Sequence, residues 1–244
     1  MKVFLAGTGL LKNYPDELSK SKYILESFYS IKDWQIPYIK KCDMFLLDSG
    51  AFTFMRGKTN VNFDAYLDKY IEFINKYDVK YFFELDIDKI VGYKKVLEYR
   101  KRLEQETGKQ CIPVWHKSRG LNEFVKMCSE YDYAAIGGLA IKDINKNQYK
   151  YLPMLIKKAH ELGCKLHGLG FTSTSYYKNI RFDTVDSTTW TIGGRMGNAC
   201  YFNGQGMRQY YPSLNGKKPI NINKLTRHNY SEWIKFQKYA ENNL

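Results

Sequence analysis

Carboxylates recur at the ends of short apolar runs in this chain, and that placement is the first sign of chemistry. Asp48 follows M-F-L-L and opens D-S-G-A-F, where Ser49 and Gly50 allow a tight turn and close backbone approach to a ligand. Glu84, Asp86 and Asp88 alternate in E-L-D-I-D, which places all three on one face of a strand. Three carboxylates on one buried face repel one another and lose hydration, so Asp86 and Asp88 are expected to meet a ligand or a cation. Asp88 has a second reading, as the cap of the following helix. Asp183 and Asp186, in R-F-D-T-V-D-S-T-T-W, fall on opposite faces of a strand. Asp186, nearer the strand end, is expected to point inward, with Asp183 as its rival. Two such carboxyls, one attacking and one handling a proton, suit substitution at an anomeric carbon.

His116 and His167 also end apolar runs. Two histidines with a late Asp are a zinc-holding pattern of metallohydrolase barrels. Against that, the first strand has no H-x-H pair and the chain has 4 His. No metal is therefore expected. Gly137 and Gly138 in I-G-G-L-A bring backbone N–H and C=O groups toward a flat ring or a phosphate, and Gly168 and Gly170 in H-G-L-G end another apolar run.

These residues need elements to hold them. V-F-L-A (3–6), M-F-L-L-D (44–48), Y-F-F-E-L-D-I (81–87), C-I-P-V-W-H (111–116), Y-A-A-I-G (133–137), K-L-H-G-L-G (165–170) and D-T-V-D-S (183–187) read as strands. Between them, three- and four-residue spacing of apolar positions predicts helices over 16–29, 63–77, 91–105, 121–127 and 149–162, with a short one at 175–180. Strands buried on both faces and separated by helices mean a parallel sheet. Polar or Gly residues end nearly every strand. In a barrel every such end faces one mouth, whereas an open sheet gathers them at a switch point. The expected fold is a (β/α)8 TIM-type barrel in one domain, its catalytic core over about 1–190. A Gly- and Tyr-rich basic loop and a closing helix (230–241) make up 191–244.

Taken in order, D-S-G-A-F, E-L-D-I-D, I-G-G-L-A, H-G-L-G and V-D-S-T-T-W resemble the tRNA-guanine transglycosylase superfamily, over about Met44 to Trp190. They look closer to its phage and bacterial DNA-guanine transglycosylase branch. The resemblance implies a barrel that exchanges guanine in a polynucleotide for a 7-deazaguanine, such as 7-cyano-7-deazaguanine, through a covalent Asp–glycosyl intermediate. It implies Asp186 as nucleophile and Asp48 as general acid/base. Asp86 or Asp88 would grip the amino-pyrimidine edge of the base. Ser49, Gly50, Phe52, His116, Gly137, Gly138, Leu139, His167, Gly168 and Gly170 would complete the substrate site. The tRNA enzymes carry a zinc site of three Cys and one His after the last catalytic strand. Here only Cys200 and His228 follow Asp186, so zinc is not expected as a cofactor. Ala51 replaces the second Gly of the family's D-S-G-G-F, and His116 stands roughly where a Gln helps read the base. These departures point from tRNA toward DNA, with free nucleotides as a further alternative.

Composition agrees with a polyanionic substrate. The net charge is +13 and 16% of residues are aromatic. Residues 1–140 hold 22 Lys+Arg and 19 Asp+Glu, against 16 and 6 in residues 141–244. Concentrated positive charge with interleaved rings is what phosphate contact and base stacking need. Arg195, Arg208, Tyr210, Lys217 and Lys218 are the expected nucleic-acid contacts. A bias toward Lys, Asn, Tyr and Ile codons would give a similar bulk composition, but not its asymmetry. The five cysteines are scattered, without C-x-x-C, so neither disulfides nor a zinc knot is signalled. No apolar run is long enough to span a membrane, and the first residues lack a signal-peptide core, so the expected location is the cytoplasm. A homodimer is left open. Outside this class of enzyme, the chain also reads as a metal-dependent hydrolase or as a non-catalytic nucleic-acid-binding barrel.

Overall fold

The computed structural model describes residues 1–55, 61–192, 196–210 and 221–244, and only the backbone of Phe52 and Met55. Its main sheet contains β1 (Lys2–Ala6), β2 (Tyr23–Ser27), β3 (Met44–Asp48), β4 (Val114–Trp115), β5 (Tyr133–Ile136), β6 (Lys165–Gly168) and β7 (Thr184–Ser187). All neighbours are parallel, in the order β3-β2-β1-β7-β6-β5-β4. An eighth stave closes the ring. Phe82 bridges Leu47 of β3, and Phe83 bridges Ile112 just ahead of β4. Backbone bonds fix both joints, Phe83 N to Leu47 O at 2.9 Å and Ile112 N to Phe82 O at 2.7 Å. The fold is the expected (β/α)8 barrel.

Side-chain alternation divides the core. Phe4, Tyr23, Leu25, Leu46, Phe83, Val114 and Ala135 fill the barrel, while Leu47 and Phe82 turn outward onto Leu67, Tyr70 and Ile74 of helix 63–77. That helix runs Phe63–Tyr77 and is capped by Asn62, whose Oδ1 accepts from Ala65 N at 3.1 Å. The last helix is longer than expected, Ile222–Asn243. Its Gln237 closes the chain on itself, donating to Val3 O at 2.8 Å and Tyr23 O at 3.0 Å.

One expected helix is a strand. Residues 16–29 form a single turn, Pro15–Leu18, and then β2. The spacing of Leu18, Tyr23, Ile24, Leu25 and Phe28 fits a helix, but Y-I-L is also a continuous apolar run. Pairing with β1 on one side and β3 on the other settles its conformation, tertiary context overriding local pattern. The strand expected over 81–87 is correspondingly short: the ladder ends near Glu84, and Ile87 N already turns back to Leu85 O at 2.9 Å.

Candidate functional site

The C-terminal strand ends surround a cavity of about 580 Å³. Each stave contributes in turn: Ala6 of β1 and Gly7 after it, Glu26 and Ser27 of β2, Asp48 of β3, then Asp86, His116, Gly138, Gly170 and Asp186. Thr188, Thr189, Thr191, Ile192 and Met196 cover one side. Four carboxyls and one imidazole thus share one mouth.

Asp48 Oδ2 accepts from Gly50 N at 3.0 Å. Gly50 has φ +84°, and a Cβ there would stand 2.7 Å from Tyr29 Cβ, so only glycine makes this turn. Burial, then the charge of Asp86 and further that of Asp186, push the Asp48 pKa up to about 7. At neutral pH Asp48 can give a proton or take one.

Asp86 Oδ2 meets His116 Nε2 at 3.1 Å, both side chains buried. Burial raises the Asp86 pKa, and the nearby imidazole only partly offsets it. Burial opposes charge on His116 as well, but the hydrogen bond and charge of Asp86 hold its pKa above the ordinary value. The pair reads as one proton held between two groups. Gly137 seats the ring: a Cβ there would lie 2.6 Å from His116 Cε1 and 2.8 Å from Val114 Cγ1.

Asp186 is held from behind. Its Oδ1 accepts from Gly170 N at 2.5 Å and lies 3.2 Å from His167 Nε2. Asp183, three residues earlier, faces the other way. It meets His160 Nε2 at 2.9 Å and Leu166 N at 2.8 Å, and it lines a second cavity, about 500 Å³, at the opposite end of the barrel.

Several expected site residues lie elsewhere. Glu84 does not share a face with Asp86: it binds Arg100 Nε at 2.6 Å, Arg119 Nη1 at 2.9 Å and Val114 N at 2.9 Å. The two Arg guanidinium groups outweigh burial and hold its carboxyl below the usual range. Asp88 starts the turn Asp88–Val91 and accepts from Arg119 Nε at 3.0 Å, away from the cavity. With Phe83 inside the barrel, alternation itself turns Glu84 outward, whereas Asp86 and Asp88 lie past the end of the strand, where the alternation stops. His167 is fully buried beneath Asp186 and does not reach the cavity wall. Ser49, Gly50, Gly137, Leu139 and Gly168 support the wall without lining it. At Gly168 a Cβ would meet the Phe182 ring at 2.8 Å. The Phe52 side chain, Arg195, Lys217 and Lys218 lie outside the described residues. Arg208 and Tyr210 are exposed on the hairpin Ala199–Phe202/Met207–Tyr210, which Phe202 anchors against Phe236 and Tyr239.

Glu26 is the residue that sequence reasoning missed. Its Oε1 accepts from Thr8 N at 2.6 Å and from the Thr8 hydroxyl, which in turn accepts from Gln35 Nε2 at 2.9 Å. Burial pushes its pKa up to about 7. The signal was present: I-L-E-S at 24–27 repeats the form of L-L-D-S at 46–49. Assigning 16–29 to a helix concealed it.

Among the described residues no group of three or more His, Cys, Asp or Glu side chains is arranged to hold a metal ion. No described helix is long and apolar enough to cross a membrane.

The chain matches no protein-family model and no curated protein. Among solved structures it is similar to the carboxyl transferase domain of Rhizobium etli pyruvate carboxylase with 3-bromopyruvate, at 14% identity and a TM-score of 0.49, over 98% of this chain and 48% of that one. It is also similar to a GH113 β-1,4-mannanase, at 14% identity and a TM-score of 0.42, over 72% of this chain and 74% of that one. The chain spans about half the length of the carboxyl transferase structure.

Proposed function

We propose that this protein is a base-exchange enzyme that replaces guanine in DNA by a 7-deazaguanine through a covalent glycosyl–Asp186 intermediate. One observation carries the proposal: Asp186 and Asp48 line the same cavity, with the Asp86–His116 pair beside them. A nucleophile, a proton-handling group and a polar edge for a flat base are what glycosidic exchange requires. The motif resemblance to guanine transglycosylases supports the same roles residue by residue.

An Asp186 oxygen attacks C1′ and the C1′–N9 bond breaks. Asp48, in its neutral form, gives its proton to the departing guanine. Asp48, now ionised, takes the corresponding proton from the incoming base, whose ring nitrogen attacks C1′ and releases Asp186. One base leaves, one enters, and both carboxyls return to their starting states. The cavity volume, about 580 Å³, suits a base with its sugar. The target guanine must therefore leave its stack, at a cost of about a few kcal/mol. Asp86 and His116 are assigned to the base edge, and Gly138 to its flank.

Incubation with labelled guanine, offered separately with DNA, tRNA and mononucleotides, tests this reading. Label is expected in DNA and is expected to survive chelation. Label in tRNA or in nucleotides alone would reassign the substrate. No label in any of them would reject base exchange, and loss of activity on chelation would favour a metallohydrolase.

A further inference from the structure

Asp186 is joined to the opposite end of the barrel by a line of polar side chains through an otherwise apolar interior. His167 Nε2 lies 3.2 Å from Asp186 Oδ1, and its Nδ1 lies 2.8 Å from Thr184 Oγ1. Thr184 Oγ1 is 2.5 Å from the Tyr133 hydroxyl, which is itself 3.5 Å from His167 Nδ1. Register places these groups together, since His167 pairs with Thr184 across β6 and β7. The imidazole is fully buried, with the rings of Phe4 at 6.1 Å and Phe83 at 5.3 Å. Tyr133 and Thr184 line the second cavity, together with Lys2, Asp132, Lys165 and Asp183.

We propose that Tyr133, Thr184 and His167 form a hydrogen-bond relay that orients Asp186 from the side of the second cavity, His167 being a positioning residue and not a substrate contact. The proposal rests on the reading of Asp186 as the attacking carboxylate. Each hydroxyl has one proton, so the chain has one direction at a time. With Asp186 ionised, Tyr133 donates to Thr184, Thr184 donates to Nδ1, and Nε2–H donates to Asp186.

Nitrogen-15 NMR of the histidine rings in the free protein reads the chain without substrate. At neutral pH His167 is expected as the Nε2–H tautomer; Thr184→Val should disturb that tautomer, and Thr184→Ser should keep it. In single turnover, Thr184→Val and Tyr133→Phe should slow adduct formation by about tenfold while leaving DNA affinity unchanged, and Thr184→Ser should restore the rate. A wild-type His167 in the Nδ1–H form overturns the relay, as does a Thr184→Val protein with unchanged tautomer and rate. A relay intact by NMR in a protein that incorporates no labelled guanine would support the chain and reject base exchange.

Discussion

Asp48 and Glu26 are both buried carboxyls whose pKa values reach about 7, and each gives a testable pH dependence. Asp48 acts as an acid only while protonated. Base expulsion in single turnover should therefore fall as pH rises through about 7. Asp48→Asn should remove that limb and lower the rate by about 10²- to 10⁴-fold, the usual contribution of a positioned acid. Glu26 bears on stability. Its folded pKa, about 7, stands above the ordinary 4.5, so the folded state binds the extra proton between those values. Stability from this group is complete below about 4.5 and is lost as pH rises through 7. Glu26→Gln, which keeps an oxygen for Thr8, should be more stable than wild type by up to about 3 kcal/mol at pH 8. Near pH 4 the two proteins should be nearly equal, and urea unfolding at both pH values measures the difference.

The carboxyls sit where they do because of the strand ends and the glycines beside them. Gly137 lets the His116 ring lie against the turn after β5. Gly137→Ala should push His116 from Asp86 and raise KM for the base by about tenfold while leaving Asp186 reactive, separable in steady-state kinetics. Most of this scaffold was legible in the sequence. Seven staves followed from apolar runs; alternation set Asp183 and Asp186 on opposite faces, and nearness to the strand end pointed to Asp186 as the inward one. Sequence reasoning failed where tertiary pairing decides. Residues 23–27 fit a helical stripe until β1 and β3 are seen on either side. The Glu84–Asp86–Asp88 alternation assumes a strand that continues, but the ladder stops near Glu84, which faces outward to Arg100 and Arg119, and Asp86 reaches the mouth only beyond the strand's end. His167 looked like a substrate contact because strand ends in barrels face the mouth. It lies one layer deeper, which spacing alone does not reveal.

Across the whole molecule, positive charge is concentrated where the barrel is completed. The net charge of +13, most of it in residues 141–244, should make binding to polynucleotides fall steeply with salt. Arg208 is exposed on the hairpin packed against the closing helix. Arg208→Ala should weaken binding about equally for all sequences and reduce the slope of log K against log salt by about 1, as loss of one phosphate contact does. A flat salt response would remove the electrostatic case for a nucleic acid. The closed barrel also explains how one chain links two ends: the relay from Tyr133 to Asp186 exists only because β5, β6 and β7 are adjacent staves.

Attack by Asp186 on the sugar of a guanosine unit can be caught by trapping. A guanine-containing DNA oligonucleotide, denatured with the protein before any incoming base is added, should leave a covalent adduct on the peptide that carries Asp186. Asp186→Asn should give none while still binding the oligonucleotide. An adduct on Asp48, or no adduct on any carboxyl under conditions where label exchanges into DNA, would contradict the account.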